Sequence, residues 1–384
     1  MNIMHVIRQL YPSVGGMENY VRNGASEQVV LAEAAAHTPA PTFVYLQYLR
    51  GAAALMVVYF HSVVQMKNLG ITAVLPQFGE SGVDLFFVLS GFLMWVTTSR
   101  SNVTPAGFIR RRLIRIVPLY WGLTLAAGAL ALIAPQLLKH TVIETTHFIS
   151  SLLFFPVQNP GYLDNPDLST RLAPVLIPGW TLNYEMFFYV VFACFVSLKA
   201  PLRLVLVPTL FALLCLVGAV GGFGYSALSF YSNPIIFEFV FGIIIAVLVQ
   251  RNALLRPPLA VALLSVALAV LIFDNVTEVP SGRFIVFGLP SALIVYSACC
   301  LELTTGARHL RLLKAIGDAS YSLYLTHVFT LVLCRLIFTR LTQSGSLLTQ
   351  CAFVVLCLVL SSLVGIGVYR LYEKPVGQYL GRFK

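Results

Sequence analysis

Arg50 and His61 stand eleven positions apart in the run YLRGAAALMVVYFH. Between them lie only glycine, apolar side chains and the hydroxyl of Tyr59. On an α-helix of 3.6 residues per turn, eleven residues come within about 20° of three full turns, so both side chains share one stripe, about 16 Å apart along the axis. A guanidinium offers a planar fork to phosphate oxygens. A neutral imidazole serves as general base or as nucleophile. Each residue alone has a plainer reading. An arginine at the end of an apolar helix snorkels to the headgroups, and a histidine in lipid makes an interhelical hydrogen bond. The shared stripe favours a joint role. Gly51, Ala52, Ala53 and Ala54 would let another helix approach it closely.

Further polar residues recur in apolar surroundings, where a charge costs about 2.5–3.5 kcal/mol at the bilayer centre. In GVDLFFVLSGFLM, Asp84 is expected near the outer end of its helix, at the depth of His61, where it could orient the imidazole. A carboxylate favoured by a helix N-terminus explains it equally well, and Ser90 and Gly91 suit close packing better than chemistry. In FIRRRLIRIVPLYW, Arg112 and Arg115 lie three apart and share a face. With Arg110 and Arg111 they could hold an anionic donor, or anchor the chain to acidic headgroups. PGWTLNYEMFFY places Trp180 at a helix start and Glu185 about one and a half turns in, facing a cavity or a cation and supporting base chemistry. GDASYSLYLTHVF carries Ser320, Tyr321, Tyr324 and His327, with Tyr324 and His327 on one face and Asp318 as candidate N-cap. Polar contacts between helices would account for that group too. No spacing suits a metal. The seven cysteines all lie in or beside apolar runs and read as neither disulfides nor ligands.

The elements that must position these residues follow from composition. The 384 residues are 58% hydrophobic and 10% charged, with a mean hydropathy of +0.84. Soluble domains carry about 25% charged residues, so an ordinary soluble enzyme is excluded and an all-α polytopic membrane bundle is expected. The formal net charge of +10 flanks the apolar runs, which fits membrane orientation rather than nucleic acid. Ten spans are expected, at about 43–65, 83–99, 116–134, 180–198, 203–222, 234–250, 257–273, 284–300, 319–340 and 348–371. The run HFISSLLFFP at 147–156 is short for a span. If it does not cross, the basic segment 100–115, Lys199 and Arg203, Arg251 and Arg256, Arg308, Arg311 and Lys314, and the tail with Arg370, Lys374, Arg382 and Lys384 all lie inside. Asp274 and Glu278 then lie outside. Both termini are therefore expected in the cytoplasm, with a long outer segment at 135–179. Its Pro and Asn clusters mark loop, and its apolar patch is expected to re-enter and to border an outward-facing cavity.

The first residues, MNIMHVIRQLYPSVGGMENYVRN, resemble the opening of family-4 type glycosyltransferases over about 23 residues. A sugar-nucleotide domain needs far more chain before the first span, so residues 1–42 are expected to be an inactive leader, a fusion scar or the product of a mis-set start. A chance amphipathic helix is the alternative.

Taken in order, YLRGAAALMVVYFH, GVDLFFVLSGFLM, FIRRRLIRIVPLYW, PGWTLNYEMFFY and SYSLYLTH resemble the acyltransferase 3 family of integral membrane acyltransferases, over about 43–375. WTLNYEMFFY is most similar to the exopolysaccharide-modifying branch. The resemblance implies a ten-helix core, a tail at 376–384, a bacterial inner-membrane location and O-acylation of a glycan from acyl-CoA, usually acetyl-CoA, without a metal. It implies Arg50 and His61 as the essential pair, assisted by Arg112 and Arg115. The acceptor would be an exopolysaccharide, a lipopolysaccharide or a polyprenol-linked sugar, beside the polysaccharide synthesis machinery. On the residues alone, catalytic roles for His61, Arg50, Asp84 and Glu185, donor binding by Arg111, Arg112 and Arg115, and support from Trp180, Tyr321, Tyr324 and His327 are the expectation. A transporter of a lipid-linked sugar, or a non-catalytic subunit of a synthesis complex, would also use such helices. Transporters, however, usually show inverted repeats and broken helices, and none is found here.

Overall fold

The computed structural model describes residues 43–71, 75–76, 79–99, 103–138, 141–273, 282–341 and 345–382. The leader 1–42, Arg100, the acidic pair Asp274 and Glu278, and Lys384 lie outside the described residues. Regular structure among the described residues is helical. In order the helices are α1 (Val44–Asn68), α2 (Gly82–Thr98), α3 (Pro105–Ile133), α4 (Thr145–Leu152), α5 (Leu168–Arg171), α6 (Trp180–Phe195), α7 (Ala200–Gly221), α8 (Ala227–Tyr231), α9 (Phe237–Gln250), α10 (Pro257–Phe273), α11 (Leu289–Thr305), α12 (Arg311–Asp318), α13 (Ser320–Leu341), α14 (Leu347–Val368) and α15 (Lys374–Gly381). A π-helical turn, Phe284–Gly288, leads into α11, and another, Tyr369–Glu373, joins α14 to α15. All ten expected spans are helical, and six of the helical stretches are long and apolar enough to cross a membrane.

The differences from expectation have local causes. The third span starts at Pro105, not at 116. Thr104 caps it, accepting from Gly107 N at 3.1 Å, and Pro105 fills the first turn. Its arginines therefore belong to the helix itself. A helix not expected from the apolar pattern, α12, is strongly amphipathic and packs on α1. Asp318 closes α12 and pairs with Lys314 at 2.7 Å, instead of capping α13. Arg203 is no loop charge. It is 2% exposed, lies over the rings of Trp95 and Phe192, and donates to the carbonyl of Val196.

Depth within the bundle follows from who touches whom. Phe43 meets Phe92 (ring centroids 5.3 Å), and Gly82 sits against the carbonyl of Ala53, so α1 and α2 run antiparallel with α2 starting well inside the length of α1. Gly179, just before α6, lies against the ring of Tyr120, near the middle of α3. Phe87 contacts Trp180 and Tyr184 of α6 and Phe239 of α9, and Gly288 lies against Glu238. The N-terminal ends of α2, α6, α9 and the Phe284–Thr305 stretch thus meet at one level, part-way along the long helices α1, α3 and α13.

The segment above them is 135–179. With eight residues, α4 is about 12 Å long and does not span. Phe148 packs on Gly128 in the last turns of α3, and the end of α4 returns to the middle of α3. Irregular backbone at that depth needs partners, and it has them. Tyr120 donates to Ser151 O (3.0 Å), Trp121 to Leu152 O (2.8 Å) and Tyr231 to Phe154 O (3.2 Å). Small residues close the seams. A Cβ on Gly91 would collide with the carbonyl of Phe239, one on Gly242 with that of Val88, and one on Gly317 with that of Gln47.

Candidate functional site

A cleft runs between α2, α3, α6 and α13. Arg50 enters it from α1, Arg112 and Arg115 from α3, Glu185 and Tyr189 from α6, Ser90 from α2, and Tyr321 and Tyr324 from α13. Six residues singled out from sequence thus converge on one space. Arg112 and Arg115 do so because three residues on a helix make one face. Arg112 lies over the rings of Phe108 and Tyr189, and its Nε is buried without a partner. Among the described residues none of these three arginines forms an ion pair, while Glu185 and Glu373 lie within electrostatic range of Arg50. Three guanidiniums against one lining carboxylate leave the cleft with a net positive charge, suited to an anion with several oxygens.

Glu185 is held at one oxygen. Ser90 donates to Oε1 at 2.5 Å and Tyr189 also donates to Oε1, while Oε2 takes no hydrogen bond among the described residues. That leaves one free carboxylate oxygen at the cleft. Tyr321 is tied to the carbonyl of Ile116 (2.7 Å). Tyr324 closes one end. Its hydroxyl contacts Thr181 Oγ1 (2.9 Å) and donates to Pro178 O (3.0 Å), and its ring meets Phe86 edge-on.

His61 does not line the cleft. Its ring stacks on that of His327 at 5.1 Å, and His327 lies 5.9 Å from Tyr324. The contacts therefore run from cleft to Tyr324 to His327 to His61. His327 Nδ1 contacts the carbonyl of Tyr324, so Nδ1 carries the proton and Nε2 is the basic nitrogen. Among the described residues the imidazole of His61 has no hydrogen-bond partner.

Asp84 departs from expectation. Gly82 lies level with Ala53, so His61, eight residues further along α1, is about 12 Å beyond it. The reason is the early start of α2, which places Asp84 deep. Its Oδ2 accepts from Arg283 at 2.8 Å, and it does not orient His61. Arg111 is exposed and outside the cleft, and Trp180 is half-buried, packed edge-on against Phe87 and Tyr184.

Ser90 and Tyr189 were not anticipated as site residues. Helical spacing held a signal for Tyr189, four residues after Glu185 and on its face. Ser90 had none, since its partner is 95 residues away in sequence. Gly91 does pack closely, as expected.

A helical membrane bundle agrees with what comparison shows. The acyltransferase 3 model, described as an acyltransferase domain, matches residues 43–366. The chain belongs to that family and is a multi-pass membrane O-acyltransferase. It is similar to "Exopolysaccharide production protein ExoZ" of Rhizobium meliloti (strain 1021), 37% identical over 304 residues covering 78% of this chain and 89% of that protein. It is also similar to "Protein 2 in picA locus" of Rhizobium radiobacter, 29% identical over 192 residues covering 47% of this chain and 97% of that protein. No solved structure matches.

Proposed function

We propose that the chain moves an acetyl group from acetyl-CoA to a sugar hydroxyl of an exopolysaccharide or of its lipid-linked precursor, in a bacterial inner membrane with both termini in the cytoplasm. The observation that carries this reading is the convergence of Arg50, Arg112 and Arg115 on one cleft with a single lining carboxylate. The phosphates of the donor sit against those guanidiniums. The thioester extends past Tyr324 toward the histidines. The family supplies acyl transfer, and the name of the Rhizobium meliloti relative supports an exopolysaccharide as acceptor.

His61 acts as general base. It takes the proton of the sugar hydroxyl as that oxygen attacks the thioester carbonyl. The new C–O bond forms, the C–S bond breaks, and the leaving thiolate recovers the proton from His61. Glu185 stays fixed by Ser90 and Tyr189 and balances the arginines. The re-entrant 135–179 segment borders the acceptor's entry.

The test is mass spectrometry of the polysaccharide from cells with and without the chain, beside purified protein given acetyl-CoA labelled in the acetyl group. Acetyl esters that depend on the chain, and label passing to glycan, are expected. An unchanged acetyl content together with no transfer by the purified protein would refute the reading.

A further inference from the structure

The cluster that contains Asp84 is not used by the transfer described above. Asp84 and Glu238 are both 0% exposed and stand in the first turns of α2 and α9. Their carboxyl groups adjoin, on helices whose rings Phe87 and Phe239 meet at 4.7 Å. Asp84 Oδ2 accepts from Arg283, yet Asp84 Oδ1 and both oxygens of Glu238 have no donor. Gly288 walls the site, because a Cβ there would come 2.8 Å from Glu238 Cγ. Ionised carboxylates bring acceptors only, so two that face each other out of water repel unless a hydrogen lies between them. Arg283 does not cancel both charges, since it also pairs with Glu80. No third His, Cys, Asp or Glu completes a metal site among the described residues.

We infer that Asp84 and Glu238 form a proton-binding site: one proton resides on Glu238 and is donated to Asp84 Oδ1, while Asp84 remains ionised toward Arg283. The hydrogen satisfies two of the three orphaned oxygens at once. The remaining negative charge faces Arg283 and the N-terminal ends of α2 and α9, whose peptide dipoles favour it. The other groups facing the site are Glu80, from the turn before α2, and Tyr184 of α6, whose hydroxyl is spent on the carbonyl of Phe230. Arg283 and Glu80, with side chains 20% and 47% exposed, connect the site to the surface. The site joins three elements at the level where α2 begins, and the same helix presents Val83, Phe87 and Ser90 to the cleft. Removing the proton would set two like charges against each other at the α2–α9 seam and disturb that wall.

Infrared spectroscopy of the purified full chain tests this without reference to acyl transfer. A protonated-carboxyl band that shifts in D2O is expected at neutral pH, and it should move when glutamate, but not aspartate, carries ¹³C. E238Q mimics the protonated partner, so it should lose the band while keeping the thermal midpoint. D84N strips Arg283 of its buried counter-charge and should lower the midpoint by several degrees. Absence of a ¹³C-glutamate band, or its survival in E238Q, overturns the proposal. So does an E238Q protein that unfolds as readily as D84N, or a sodium-dependent midpoint that E238Q abolishes, which would mean a cation in place of the proton.

Discussion

His61 and His327 stack with ring centroids 5.1 Å apart and planes inclined by 28°, although 266 positions separate them in the chain. The pair lies one helical turn beyond Tyr324, the residue that closes the cleft. If His61 is the base, H61A should cut transfer by about 10²–10⁴-fold in a protein that still folds. H327Q removes the stacked ring and should cost less, chiefly in kcat. Label transfer on purified, thermally characterised variants measures both. Near-normal transfer by folded H61A would remove His61 from the mechanism.

Arg112 and Arg115 predict a KM effect. Lysine keeps the charge but loses the planar fork. A hydrogen bond to a charged group contributes about 1.5–3 kcal/mol, so R112K and R115K should each weaken donor binding by about 10–100-fold, with smaller changes in kcat. R111K, outside the cleft, should bind normally. Calorimetric titration with coenzyme A decides. Equal losses in all three variants would point to general surface charge.

The α2–α9 seam is set by glycines. G91A and G242A would each drive a methyl into a backbone carbonyl, of Phe239 and Val88 respectively. Overpacking of this kind costs about 1–3 kcal/mol, so a lowered unfolding midpoint in detergent is expected. G367A, where a Cβ meets nothing within 4 Å, is the control. Unchanged midpoints in the first two would show that the helices part easily.

His147 gives a pH dependence. Its Nε2 donates to the carbonyl of Ala173 at 3.0 Å, and Nδ1 is buried without a partner. Burial holds the imidazole below its ordinary value, opposed by the Ala173 carbonyl. A base depressed on folding contributes stability that is fully present above its unfolded value, about 6.5, and is lost as pH falls through the folded value. Stability should therefore decline below about pH 6.5, and H147Q should flatten that limb. Melting curves from neutral to mildly acidic pH measure it, and identical limbs would exclude His147 as the cause.

The helices were readable because lipid demands long apolar runs, and each expected span is helical. Arg50, Arg112 and Arg115 were readable because helical phase alone puts them on faces that can meet. What pattern could not carry was register between helices. Asp84 was expected beside His61, yet the chain after α1 folds back and starts α2 against Ala53, a matter of glycine contact that no single helix reveals. Glu238 and Arg283 drew no notice, since Glu238 opens an apolar helix and Arg283 borders a turn. Their partners are more than 150 residues away. Ser90 was read as packing for the same reason.

Four helices that begin part-way through the bundle have one more consequence. Where α2, α6, α9 and α11 start, the rings of Phe86, Phe87, Trp180, Tyr184 and Tyr324 pack in a layer beside the cleft. In a charged membrane that layer is insulation. If the proposed transfer carries an acyl group past it, it has to withstand the voltage and hold back ions, yet open far enough for that group to pass. Leak current is therefore as direct a measure of these aromatics as turnover is.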